Sequence, residues 1–116
     1  MKSVKARDTT LVLDREQLRD VTLEDEDLMR ELLGALIEDT ERQLPLLELA
    51  IRGLDARQCA RLAHYCKGAS ANLGANRLAG LLESIERHAV EGALEQCSSQ
   101  LAILAQEVDR LRAEPI

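Results

Sequence analysis

Aromatic side chains are almost absent from this sequence. It contains no phenylalanine and no tryptophan, and Tyr65 is its one aromatic residue. The core must therefore be packed with aliphatic side chains, whereas β-sheets are usually enriched in aromatic residues. This favours helices over a β-sandwich or a β-barrel. It also removes the aromatic platforms on which proteins stack the bases of single-stranded nucleic acids.

Basic charge and long apolar runs are also scarce. The 15 Lys and Arg residues are outnumbered by 21 Asp and Glu residues, and the formal net charge is −6. Because contacts to phosphate backbones need a basic surface, nucleic acid is disfavoured as a partner. No stretch approaches the roughly 20 apolar residues of a membrane span, and no apolar signal-peptide core follows the basic N-terminus. We therefore expect a cytoplasmic protein that does not associate with a membrane.

Cysteine is sparse as well, with three residues in the chain. An odd count suits reduced thiols in the cytoplasm better than a disulfide framework. The 116 residues suffice for one hydrophobic core. Residues 1–10 are polar and lack helical period, so we predict a flexible N-terminal arm followed by one domain at 11–116. We expect a monomer.

Apolar residues recur at helical spacing through the rest of the chain. The predicted helices are a short one around Leu18, a long one from Thr22 to Ile51, and three more at about 56–73, 76–90 and 93–112. Long amphipathic helices joined by short turns predict an all-α protein. Its expected architecture is an antiparallel up-down four-helix bundle with a short extra N-terminal helix.

Several residues mark the predicted helix ends. Asp14 is suited to cap the first helix. Thr22, with Asp25 three residues later, resembles a capping box that would start the second. Pro45 interrupts the second pattern, but the pattern resumes in phase, which indicates one kinked helix. Gly74 is placed to end the third helix as a left-handed C-cap.

The third predicted helix separates its side chains into two faces at about 100° per residue. The apolar, small-residue face consists of Cys59, Leu62, Ala63, Cys66, Ala69, Ser70 and Leu73. His64 lies almost opposite this face. The outer face around it carries Arg57, Ala60, Arg61, Lys67, Gly68 and Ala71. An exposed imidazole beside a cation and among small residues suits a histidine that is phosphorylated by a docked partner.

The same stretch resembles the signature of the histidine-containing phosphotransfer (HPt) domain family. The residues that carry the resemblance are Ala63-His64-x-x-Lys67-Gly68-x-Ser70-x-x-Leu73-Gly74-Ala75, followed by Leu78 and Leu82. The helix layout extends the similarity over about residues 12–111. The sequence departs from the family pattern at Cys66 and Leu82, and both are exchanges of core-type residues.

The resemblance implies a protein of a two-component phosphorelay. His64 would accept a phosphoryl group from receiver-domain aspartates and donate it to them. The partners would be response-regulator receiver domains, a hybrid sensor histidine kinase, or both. Such a phosphocarrier has no kinase activity of its own, and the sequence contains no Gly-rich or Walker-type loop for ATP. We expect no cofactor and no bound metal.

Roles for the neighbouring residues have simpler alternatives. Lys67 is either a phosphate-facing cation or a solvated helix lysine. Gly68, Ala60 and Ala71 give a partner access, although Gly68 is also explained as a tolerated helix glycine. Glu86 is either a solvated or ion-paired carboxylate or a hydrogen-bond partner of His64.

Two other chemistries are disfavoured by geometry, and one other function stays open. His64 and Cys66 point in divergent directions from a helix, which disfavours a metal site or a Cys–His nucleophile pair. The same bundle without phosphorylation would serve as an interaction or adaptor module. Ser70 is expected to be a packing hydroxyl, and His88 is assigned no chemistry.

Overall fold

The computed structural model describes residues 10–116, and within that range the chain forms helices and no strand. The five helices are α1 (Arg15–Val21), α2 (Glu26–Arg52), α3 (Ala56–Asn72), α4 (Asn76–Val90) and α5 (Leu94–Arg112). The bounds of α3, α4 and α5 agree with the predicted ones within one residue. The predicted arm at residues 1–10 lies outside the described residues except for Thr10.

The four long helices form a closed antiparallel bundle. α3 packs against α2 and α4, and α5 packs against α4 and α2, so each helix has two neighbours. α1 contacts α2 at one end. The predicted four-helix bundle with a short extra N-terminal helix is therefore confirmed.

The core is aliphatic, as the lack of aromatic residues requires. Its largest fully buried apolar side chains are Leu18, Leu47, Leu78, Leu82, Ile85, Leu104 and Val108. Three free thiols complete it, from Cys59 and Cys66 on α3 and Cys97 on α5. Burial raises the pKa of Cys59 and of Cys66 to about 12, so these thiols stay protonated at neutral pH.

Aspartates, and not a threonine, start the first three helices. The carboxylates of Asp14, Asp25 and Asp55 each accept a backbone N–H three residues further on, at 3.0–3.2 Å. The capping box predicted at Thr22 is wrong. Thr22 is instead the C-cap of α1, is buried, and its hydroxyl donates to the carbonyl of Leu18 at 2.7 Å.

Pro45 lies inside a continuous α2. The prediction of one helix through this position is confirmed. A proline removes one backbone donor, but α2 packs against both α3 and α5. Tertiary packing on two sides therefore maintains the helix across the proline.

The segment before α1 is tied to the turn between α3 and α4. Asp14 N–H donates to the Gly74 carbonyl at 2.7 Å, and Arg77 N–H donates to the Leu11 carbonyl at 3.0 Å. Gly74 has φ +82°, and a Cβ there would lie 2.6 Å from the Asp14 carbonyl oxygen. Both the backbone conformation and the close approach thus require glycine. None of the helices in the described range is long and apolar enough to cross a membrane.

Candidate functional site

His64 stands in the middle of α3 with 68% of its side chain exposed. The residue before it, Ala63, is fully buried, and Cys66 two residues later is buried too. Because neighbouring positions of a helix differ by about 100°, burial of these residues turns the imidazole outward. The predicted exposure of His64 and the inward direction of Cys66 are confirmed.

One carboxylate on the neighbouring helix holds both His64 and Lys67. Glu86 of α4 places its Oε2 atom 2.8 Å from Nδ1 of His64. Its Oε1 atom accepts from Nζ of Lys67 at 2.7 Å. Lys67 follows His64 by about one turn of α3, so both side chains reach the same position on α4. Both alternatives for Glu86, an ion pair and a hydrogen bond to His64, occur together.

The charge of Glu86 determines which ring nitrogen of His64 carries the proton. Partial burial alone would raise the pKa of Glu86, but the hydrogen bonds from Lys67 and His64 outweigh burial and hold the pKa below its ordinary value. Glu86 is therefore ionised at neutral pH and can only accept hydrogen bonds. The Nδ1 atom of His64 must then carry the proton in the neutral ring. This leaves the lone pair on Nε2 as the free, nucleophilic one.

The surroundings of His64 are low in relief. Gly68 is exposed, and a Cβ added there would meet no atom within 4 Å. Ala60 and Ala71 are partly exposed on the same helix. The predicted small-residue surface around the imidazole is therefore present and open.

Ser70 is a buried packing hydroxyl, as predicted, and His88 contacts α5. The fully buried hydroxyl of Ser70 donates to the Cys66 carbonyl at 2.8 Å. His88 makes a 2.9 Å hydrogen bond from Nδ1 to the side-chain oxygen of Gln100 on α5. His88 is separate from the group that His64, Lys67 and Glu86 form.

The sequence reasoning missed one feature beside the site and one in the core. The carboxylate of Asp39 on α2 faces Tyr65, and its negative charge raises the pKa of Tyr65. In the core, Glu107 is 4% exposed and pairs with Arg77 and Arg110 at 2.8 Å. The Asp39–Tyr65 and Glu107–Arg77 contacts are not visible in a local motif, because both depend on which helices are neighbours; the Glu107–Arg110 pair lies within α5 at i,i+3.

Comparisons with known proteins agree with the geometry. No curated protein matches the sequence significantly. Among solved structures, histidine-containing phosphotransfer protein B (HptB) from Pseudomonas aeruginosa PAO1 is 31% identical. The match covers 87% of this chain and 88% of that chain, with a TM-score of 0.80.

The Hpt domain family matches residues 31–114. This range includes α3 and α4 in full, and with them the group around His64. The resemblance predicted from the sequence is confirmed, and with it the prediction of histidine phosphotransfer. The chain belongs to the Hpt domain family, whose members carry out histidine phosphotransfer in phosphorelays.

Proposed function

We propose that His64 is the residue that carries the phosphoryl group in this protein. The observation that supports this most directly is the 2.8 Å contact between Glu86 and Nδ1, with 68% of the imidazole side chain exposed. An imidazole that was buried, or hydrogen-bonded at both nitrogens, could not attack a phosphoryl group on a partner. The His64 ring keeps Nε2 free and accessible. We place the covalent bond at Nε2.

The phosphoryl group passes directly from a receiver aspartate to His64. Nε2 of His64 attacks the phosphorus of an aspartyl phosphate on a receiver domain, and an N–P bond forms as the O–P bond to the aspartate breaks. The electron pair of the broken bond stays on the departing carboxylate. The imidazole gains positive charge, and the ionised Glu86 stabilises it through the Nδ1 proton, which stays in place. The return transfer to a second receiver reverses the same steps.

Lys67 supplies positive charge for the phosphoryl oxygens. Its ammonium is held by Glu86, the same carboxylate that holds the ring. Phosphoryl transfer depends mostly on positioning and on stabilising charge. A cation already held beside the imidazole meets that requirement without a search over side-chain rotamers.

Gly68, Ala60 and Ala71 provide access for the partner. The open space above Gly68 lets a receiver bring its phosphorylated aspartate close to Nε2. A glycine within a helix lowers stability by about 1 kcal/mol relative to alanine. Access for a partner explains why a glycine is present at this position despite that loss.

The protein is a phosphocarrier and not a kinase. The sequence has no Gly-rich phosphate-binding loop for ATP, so the phosphoryl group comes from a receiver domain, a hybrid sensor histidine kinase, or both. We place this exchange in the cytoplasm, with the carrier as a monomer.

The test uses a panel of phosphorylated receiver domains and scores acid-labile label on this protein. Wild-type protein should be labelled by a receiver and not by ATP alone. His64→Gln should keep the helical circular dichroism spectrum and take up no label. Binding of receivers without label on the wild type would favour the adaptor function. Stable label on His64→Gln would move the site to another residue.

A further inference from the structure

The first helix is too short to be stable by itself. α1 has seven residues, and isolated helices shorter than about 12 residues are marginal in water. Leu18 is the residue of this helix that is buried, and the helix packs against α2 at one end of the bundle. α1 therefore depends on the side-chain contacts that tie it to its surroundings.

A cavity lies where α1, the first turns of α2 and Ile116 meet. Its volume is about 230 Å³, and its apolar lining comes from Leu18, Met29 and Ile116. Side chains that border a cavity lack van der Waals contacts on that side, so α1 gains less from packing than a helix on a filled core. Separating α1 from α2 therefore costs less free energy than separating two of the long helices.

Arg15 ties α1 to the segment that follows α5. Its guanidinium donates to Oε2 of Glu114 at 2.6 Å and also to the carbonyl of Pro115. The Arg15 side chain is 37% exposed and that of Glu114 is 27% exposed. Because water can compete for a partly exposed pair, this attachment is one that breaks and re-forms without unfolding the bundle.

Gln17 ties the same helix to the end of α3. Its side-chain Nε2 donates to the carbonyls of Ala71 at 2.6 Å and Asn72 at 3.1 Å. The last carbonyls of an α-helix have no acceptor role within the helix, so the Gln17 amide satisfies groups that α3 would otherwise turn to water. Since Arg15 and Gln17 lie two positions apart on one short helix, a movement at Arg15 reaches Gln17.

We infer that α1 and residues 114–116 open together while the four long helices stay folded, and that this opening releases the last turn of α3. We call α1 with residues 114–116 the end clamp. Because α3 also carries His64, the end clamp connects the segment after α5 to the helix of the proposed phosphorylation site. The opening does not depend on the chemistry proposed for His64.

Amide hydrogen exchange, followed by NMR, reports on both ends of this connection. The Thr22 and Ala75 amides donate to carbonyls of α1 and α3 at 3.2 and 2.9 Å. Arg15→Ala should accelerate exchange at both amides about three- to tenfold, the effect of losing one or two partly exposed hydrogen bonds. The amide of Ile85, which is fully buried in α4, should keep its wild-type rate. Equal acceleration at Ile85 would mean that the whole bundle opens, and would overturn the inference.

Arg19→Ala is the matched control for Arg15→Ala. Arg19 is exposed and lies about one turn after Arg15 on the same helix. It makes no ion pair in the part of the chain that the structure describes. Arg19→Ala should leave exchange at Ala75 within about twofold of wild type. If the two variants accelerate Ala75 equally, the contacts with residues 114 and 115 are not what holds α1, and the inference is wrong.

A double-mutant cycle tests whether Gln17 carries the connection to α3. Gln17→Ala alone should accelerate exchange at Ala75 about three- to tenfold. Adding Arg15→Ala should then change the Ala75 rate by less than about twofold, because the connection is already broken. The Thr22 amide should still respond to Arg15→Ala in that background. Effects on Ala75 that multiply in full would show that the two residues act independently, which contradicts the end clamp.

Low concentrations of urea distinguish the local opening from global unfolding. The Thr22 and Ala75 amides should exchange with the same small urea dependence, because one opening that exposes little surface governs both. The Ile85 amide should show the larger urea dependence of global unfolding. Different urea dependences at Thr22 and Ala75 would mean two separate openings, and the two segments would then not form one unit.

Discussion

His64, Lys67 and Glu86 form one hydrogen-bonded group, in which Glu86 and Lys67 have different roles toward His64. Glu86 fixes which ring nitrogen is free, through Nδ1, and Lys67 brings positive charge to the same place. The Glu86 carboxylate links the two roles, because one of its oxygens contacts His64 and the other contacts Lys67. A change at any one residue therefore alters the charge seen by the other two.

Replacing Lys67 tests the charge role. Lys67→Ala should slow transfer from a phosphorylated receiver roughly ten- to hundredfold, the loss of one charge-assisted contact of about 1.5–3 kcal/mol. The final amount of label should be unchanged, because His64 still attacks. Stopped-flow transfer measures the rate, and Lys67→Arg, which keeps the charge, is the control. A loss under about twofold would show that Lys67 pairs with Glu86 without assisting transfer.

Acid should remove the stabilising effect of Glu86. Its folded-state pKa lies below the ordinary 4.5, so its contribution to stability is present above that value and is lost as pH falls through the folded pKa. Glu86→Gln should be less stable than wild type near neutral pH, and the gap should close as the pH falls through the lowered pKa of Glu86. Urea unfolding measures it, with Glu83→Gln on the same helix as control. A gap that persists in acid would contradict the ionised state of Glu86.

At this scale, the sequence predicted the positions of His64 and Lys67 better than their contacts. His64 and Lys67 are identified by their spacing on one helix. The role of Glu86 stayed open, because Glu86 lies 22 residues after His64 and their contact depends on the register of α3 against α4. Tyr65 was noted only as the single aromatic residue, because its pairing with Asp39 requires α2 and α3 to be neighbours.

At the scale of helices and turns, the ends of the elements carry the most specific chemistry. The three aspartate caps and Gly74 determine where α1, α2 and α3 begin or end. Thr22 was misassigned because a threonine three residues before an aspartate resembles the capping-box pattern, which usually has Glu or Gln at that place. The chain instead forms a turn there, with Leu23 and Glu24 at φ +53° and +63°, and Asp25 becomes the cap.

Two glycines allow the turn geometry to be separated from the close approach. Gly74 and Gly92 both have positive φ, at +82° and +77°, but a Cβ would clash with Asp14 at Gly74 and meet nothing at Gly92. Gly92→Ala should cost about 1–2 kcal/mol, the cost of the left-handed conformation alone. Gly74→Ala should cost clearly more, because the Asp14 carbonyl must also move. Chemical denaturation measures both, and equal costs would show that the contact at Gly74 is easily relaxed.

At the scale of the whole molecule, the fold was largely predictable because helical period, length and turn residues agree with one another. Five helices and their order follow from these local signals. The buried Glu107 did not, since an acidic residue on a helix is usually solvated. It is buried here because two arginines pair with it, Arg77 on the neighbouring helix α4 and Arg110 on α5 itself.

The three thiols report on the integrity of the entire bundle. Cys59 and Cys97 are fully buried and Cys66 is 2% exposed, and burial raises the pKa of Cys59 and Cys66 to about 12. A thiol reagent attacks the thiolate, so the native state has neither the access nor the ionised form. Reaction must pass through opening of the helices.

We therefore expect a disulfide-exchange reagent at mildly alkaline pH to label native protein at least about a thousandfold more slowly than unfolded protein, given ordinary domain stability. The three thiols should react together, because the bundle must open to expose any of them. Ser98→Cys, at an exposed position of α5, should react at once and serve as the control. Rapid labelling of one native thiol ahead of the others would mean that α3 or α5 opens locally, and the helix that carries His64 would then be less rigid than its packing indicates.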